Sequence, residues 1–172
     1  MLLPARKNRS ERIPTADSPT GGKKMGLVYA EIELISVDDL VLHRRGFLIE
    51  DKIKRLTVSA LVDTGAYMLV INEHIRQQLD LPLIEEQVFR MADESERRGE
   101  VVGPVEIRFE NRSTTVRAVV LAGTGEVLLG SIPLEIWTRV IDPRQQRLIV
   151  NPESPYIATK HLKPVKEFKC QL

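Results

Sequence analysis

Asp63-Thr64-Gly65-Ala66 is the stretch of this chain best equipped for chemistry. An alternating apolar run, Leu56 to Val62, leads into it, and a second, Met68-Leu69-Val70-Ile71, follows. A carboxylate at a tight turn between two buried strands is costly unless it is hydrogen-bonded or used. Gly65 permits the turn and lets backbone N–H groups approach the carboxylate closely. Amide hydrolysis by carboxylates needs two acids side by side, sharing one proton. One activates a water as base while the other protonates or polarises the carbonyl. The plainer alternative is a capped turn, with the Asp63 carboxylate bonding local N–H groups only.

The chain offers one such motif, not two. It contains no second Asp-Thr-Gly and no Asp-Ser-Gly. Asp142 follows apolar Val140-Ile141 but precedes Pro143, which has no backbone N–H to donate. One chain therefore holds one of the two carboxylates that this chemistry would need.

Other chemistries find less support. His43, His74 and His161 are scattered without metal-ligand spacing and read as surface histidines, so no metal is expected. No Gly-x-Ser-x-Gly is present. Gly123-x-Gly125 lacks the third glycine and the helix of a dinucleotide site, so it reads as a turn, and no cofactor is expected. The single cysteine, Cys170, excludes an intrachain disulfide and a cysteine-built zinc site.

With 25 basic and 24 acidic residues, interspersed, the chain lacks the charge of a general nucleic-acid or membrane-surface binder. No apolar run approaches the ~20 residues that span a bilayer. With one cysteine and no signal-peptide core, a cytoplasmic location is the simplest expectation.

The elements that must position Asp63 read as mostly β. Residues 1–24, rich in Pro, Gly and Lys/Arg, read as a dispensable tail, or alternatively as a basic arm for an acidic partner. Strands are expected from Leu27 to Ile35, Leu56 to Val62, Tyr67 to Ile71, Gln87 to Met91, Glu100 to Phe109, Ser113 to Leu121 and Leu148 to Val150. Ser36 to Arg45 reads as a polar loop. Asn72 caps a helix over Glu73 to Leu79, and Pro133 opens another through Trp137. Asp93 to Gly99 reads as a charged hairpin loop. Many short strands with one or two short helices suit a closed or sandwich-like β domain.

The order of these parts resembles the retropepsin-type aspartic proteases, specifically their small single-lobe bacterial members. The likeness rests on strand, Asp63-Thr64-Gly65-Ala66, strand, short helix, charged hairpin, then Leu128-Leu129-Gly130 and a helix. It covers roughly 25–152, leaving 153–172 as a C-terminal extension.

The resemblance implies a closed acid-protease barrel and a homodimeric endopeptidase acting on peptides or proteins. Asp63 would be catalytic, with Thr64 bonding across the dimer axis and Gly65 and Ala66 supporting the loop. Leu128, Leu129 and Gly130 would pack behind that loop. The substrate-covering flap would lie at Met91, Ala92, Asp93 and Glu94. Two features depart from the pattern: Tyr67 follows Ala66 where viral relatives carry a small polar or acidic residue, and the flap tip lacks glycine. A non-catalytic peptide-binding dimer on the same fold is the alternative.

Overall fold

The computed structural model describes residues 26–91, 93–123, 125–142 and 144–156. The expectations for residues 1–24, Ala92, His161, Cys170 and most of 153–172 lie outside the described residues.

Among the described residues, nine strands form one continuous sheet: β1 Tyr29–Ser36, β2 Arg55–Val62, β3 Leu69–Ile71, β4 Leu83–Arg90, β5 Glu96–Phe109, β6 Arg112–Val120, β7 Val127–Leu129, β8 Arg139–Asp142 and β9 Arg147–Val150. The order is β4-β5-β6-β3-β7-β2-β1-β9-β8, and a further pairing joins β5 to β1. That pairing closes six strands, β5-β6-β3-β7-β2-β1, into a barrel. Closure removes the exposed edges of those six strands. Strand β4 extends the sheet beyond β5, and the β9–β8 hairpin extends it beyond β1. The fold is mostly β, as the alternating runs imply.

The barrel core is built from the inward residues of each strand. Ile32, Leu34, Leu69, Ile71, Val102, Val105, Ile107, Ala118 and Leu129 are all fully buried. Trp137 plugs one side of it, stacked on Phe109 with ring centroids 6.0 Å apart.

Short α-helices punctuate the strands: α1 Val37–Arg44, α2 Glu73–Leu79 and α3 Ser131–Trp137. Helix α2 has the expected bounds and cap, with Asn72 Oδ1 accepting the Ile75 N–H at 3.0 Å. The polar loop expected at Ser36 to Arg45 is instead helix α1. Ser36 caps it, acids occupy its first turn and basic residues its last. Its Leu40 packs with Ile35 and Ile53 in a small second cluster, and buried Asp39 accepts the Lys54 N–H at 2.9 Å.

Other boundaries differ from expectation as well: β4 runs from Leu83 to Arg90 rather than Gln87 to Met91, and β8 was not expected. The charged loop at Asp93 to Gly99 is shorter, because β5 begins at Glu96. Gly99 is part of that strand, and a β-carbon there would overlap Leu121 and crowd Phe89. Tyr67 and Met68 lie in the loop before β3 rather than in the strand.

Candidate active site

Strand β2 delivers Asp63 to the rim of the barrel. Its last residue pair is Val62 with Leu129 of β7, in parallel register. The Asp63 N–H then donates to the Leu129 carbonyl at 3.1 Å, extending that ladder by one bond. The chain turns at once. Ala66 N–H donates to the Asp63 carbonyl at 3.1 Å, and Gly65 N–H donates to Asp63 Oδ1 at 2.9 Å. The side chain is thus aimed by its own loop. A β-carbon on Gly65 would stand 3.2 Å from Asp63 Oδ1, so glycine keeps that approach open. The local N–H bond of the plainer alternative is therefore present, and it is also what holds a carboxylate in a fixed pose.

Helix α3 braces the loop from behind. Its first residues, Ser131 and Ile132, donate backbone N–H groups to the carbonyls of Ala66 (2.8 Å) and Tyr67 (3.3 Å). These N–H groups have no partner within the helix, so the loop carbonyls satisfy them. Gly130 sits against the loop backbone, and a β-carbon there would overlap the Met68 carbonyl. Leu128 pairs with both Leu61 and Val70, placing β7 between the strands that enter and leave the loop. Leu129 is buried and Leu128 half-buried.

The solvent side of the loop is open. Asp63 and Ala66 are half-buried, while Thr64 and Gly65 are exposed. Tyr67 is 72% exposed beside them. Thr64 lines a cavity of about 350 Å³ with Ser131, Leu134, Glu135, Arg139 and Leu148.

The β4–β5 hairpin carries Met91, Asp93 and Glu94, three of the four expected flap residues, at its tip. Met91 N–H donates to the Ser95 carbonyl at 2.8 Å, and Glu94 N–H donates to the Met91 carbonyl at 2.9 Å. Glu94 takes a left-handed φ of 65°, a conformation glycine would adopt more easily. Asp93 Oδ1 accepts the Ser95 hydroxyl at 2.5 Å and the Ser95 N–H at 3.0 Å. These bonds, the hydroxyl's first, hold the Asp93 carboxyl below its usual range. Carboxylate bonding thus builds this tip without glycine. Among the described residues, no hydrogen bond joins the tip to the Asp63 loop.

A larger cavity of about 630 Å³ lies away from Asp63. It sits between the start of α2 and the β4–β5 hairpin, lined by Asn72, Glu73, His74, Glu86, Arg98 and Glu100 among others. Arg76 bonds Glu100 at its side, which relieves the directly opposed Glu86–Glu100 pair on neighbouring strands.

Among the described residues, the other titratable groups have structural partners or exposed positions. Asp142 Oδ1 accepts the N–H groups of Arg144 and Gln145, capping the β8–β9 turn. His43 Nδ1 bonds the Leu48 carbonyl at 2.9 Å, and His74 is exposed. Among the described residues, no group of three or more His, Cys, Asp or Glu is placed to hold a metal. No helix among them is long and apolar enough to cross a membrane. Sequence reasoning missed the amides of Ser131 and Ile132, which have no side-chain signature.

Comparison with known proteins adds the family. Residues 49–135, half of the chain, match the family model described as "gag-polyprotein putative aspartyl protease". That span holds Asp63, the β4–β5 hairpin and β7. No curated protein matches the chain. Among solved structures it is similar to the retroviral protease-like domain of Ddi1 from Leishmania major. The identity is 14% and the TM-score 0.48, covering 75% of this chain and 91% of that one. The chain belongs to the retroviral-type aspartyl protease family.

Proposed function

We propose that this protein is an aspartic endopeptidase active as a homodimer, with Asp63 of each subunit forming one carboxylate pair. The observation that carries this reading is the pose of Asp63. It sits on the open side of a loop that is hydrogen-bonded to β7, to α3 and to itself. Such preorganisation suits a group that must meet a second carboxylate and a water in fixed geometry.

In this mechanism the two Asp63 carboxylates share one proton, because like charges that close do not both ionise. The unprotonated member takes a proton from a water, whose oxygen attacks the scissile carbonyl carbon. The protonated member gives its proton to the carbonyl oxygen, leaving a neutral tetrahedral diol. On collapse of the diol the C–N bond breaks: the carboxyl that took the water's proton gives it to the departing nitrogen, and the other carboxylate takes the proton of a diol hydroxyl, which restores the shared-proton pair. Thr64 links the two loops across the axis, and the β4–β5 hairpin covers the peptide.

The test is Asp63→Asn in purified full-length protein, incubated with a mixed peptide library and read by mass spectrometry. Cleavage by the wild type and its loss in the variant are expected. Equal cleavage by both would remove Asp63 from the mechanism. The glycine-free flap tip favours a second reading, a dimer that holds a peptide without cutting it. Peptide binding by the wild type with no product formed would select that reading.

A further inference from the structure

Arg139 has more burial and more partners than packing calls for. Its side chain has no solvent exposure. The guanidinium carbon lies 4.6 Å from the centroid of the Phe109 ring. Nη2 donates to the Phe109 carbonyl at 3.0 Å and Nη1 to the Glu110 carboxylate at 3.2 Å. Phe109 stacks on Trp137 in turn. Burial pushes the Arg139 pKa down, opposed by the Glu110 carboxylate. The Arg139 Nε and the Trp137 Nε1 have no acceptor among the described residues. An apolar residue of similar volume is often neutral or stabilising in such a place. A planar fork is therefore a weak choice for stability and a good one for fixing geometry.

What the fork fixes is the C-terminal end of α3. Arg139 directly follows Thr138, whose left-handed φ of 53° ends the helix. The fork ties that point to the last residue of β5 and the turn beyond it. The opposite end of α3 holds the Asp63 loop through the Ser131 and Ile132 amides. Seven residues of α-helix span only about 10 Å, leaving little slack between the two attachments.

We propose that Arg139 is a positioning residue: it seats α3 against the end of β5 and, through α3, sets the pose of the Asp63 loop. Its effect on catalysis rests on the reading of Asp63 given above; its effect on the loop does not.

Two variants separate the contributions. Arg139→Met keeps an apolar stem over Phe109 and removes the fork, whereas Arg139→Lys keeps the charge as a point donor. Amide exchange by NMR on the full chain reads Ser131 and Ile132 directly. In the Met variant, both amides should exchange about ten-fold faster or more, with Ile75 and Leu79 of α2 within about two-fold. The Lys variant should fall between. With a cleaved peptide, kcat should drop about ten-fold while KM stays within about two-fold.

Unchanged exchange at Ser131 and Ile132 overturns the proposal. So does a rise shared equally by α2, which would mark a general loss of stability. Should the Met variant fail to fold, Glu110→Gln decides, because it weakens one arm of the fork and leaves the Arg139 charge in place. It should then raise exchange at the same two amides and not in α2. If the wild type cleaves nothing, the exchange result still decides the role of Arg139, and only the protease reading falls.

Discussion

Gly130 and Met68 lie in direct backbone contact: a β-carbon on Gly130 would overlap the Met68 carbonyl and stand 2.8 Å from that of Ala66. The backbone torsions of Gly130 are ordinary, so the constraint is space and not conformation. The contact lets α3 start close enough for Ser131 and Ile132 to reach the Asp63 loop. Gly130→Ala must therefore push α3 away from the loop. Overpacking of this kind costs about 1–3 kcal/mol. Denaturant unfolding should show that loss, and peptide cleavage should fall further than the stability change alone explains. An unchanged midpoint with full activity would mean that the loop tolerates the shift.

The tip of the β4–β5 hairpin should respond to acid. The Ser95 hydroxyl and N–H stabilise ionised Asp93 in the folded turn, and nearby Arg97 adds to this. The folded pKa is depressed, so the turn's contribution is complete above the ordinary carboxylate range. It is lost as pH falls through the lowered value. Ser95→Ala removes the largest of these effects and should move the transition upward, towards the ordinary value. An NMR titration that follows the backbone amide at position 95, in the wild type and in the variant, reads both transitions. Identical midpoints would leave the hydroxyl without a role.

How much of this was legible in the sequence depends on where each signal lies. Helix α2 was fully readable, because its cap Asn72 and its buried pair Ile75 and Leu79 are local. The β2 and β7 runs were readable because both are apolar and flank the loop. Helix α1 was not: of its residues only Asp39 and Leu40 are buried, and Asp39 is satisfied by Lys54 from another element. Strand β8 reverses the usual pattern, with Val140 exposed and the Arg139 side chain enclosed over Phe109. That inversion depends on a residue 30 positions away. Asp63 was legible because an acid between apolar runs stands out. The amides that brace its loop were not, since every residue but proline carries one.

Tyr67 should separate stability from recognition. The residue is 72% exposed, while its carbonyl is fixed by the Ile132 amide. Tyr67→Ser removes the ring and leaves that backbone bond. An exposed substitution of this type changes stability by within about 0.5 kcal/mol. In the proposed dimer the ring borders the peptide site, so the pattern of cleaved peptides should change while the thermal midpoint does not. A loss of dimer in sedimentation, with the cleavage pattern unchanged, would instead make Tyr67 a subunit contact.

The single Asp-Thr-Gly has a consequence that no one-chain site would show. If each subunit gives one carboxylate, a dimer of wild type and Asp63→Asn holds only half of the pair. Wild-type and variant chains that are mixed, dissociated and reassembled distribute at random, because the substitution keeps the size and shape of the side chain. Activity per total protein should then follow the square of the wild-type fraction. A site complete within one chain would follow that fraction linearly. The variant must exchange into dimers for this to hold, which sedimentation of tagged and untagged chains measures separately. A linear dependence with exchange demonstrated would place the whole reaction in one subunit and end the paired-carboxylate mechanism.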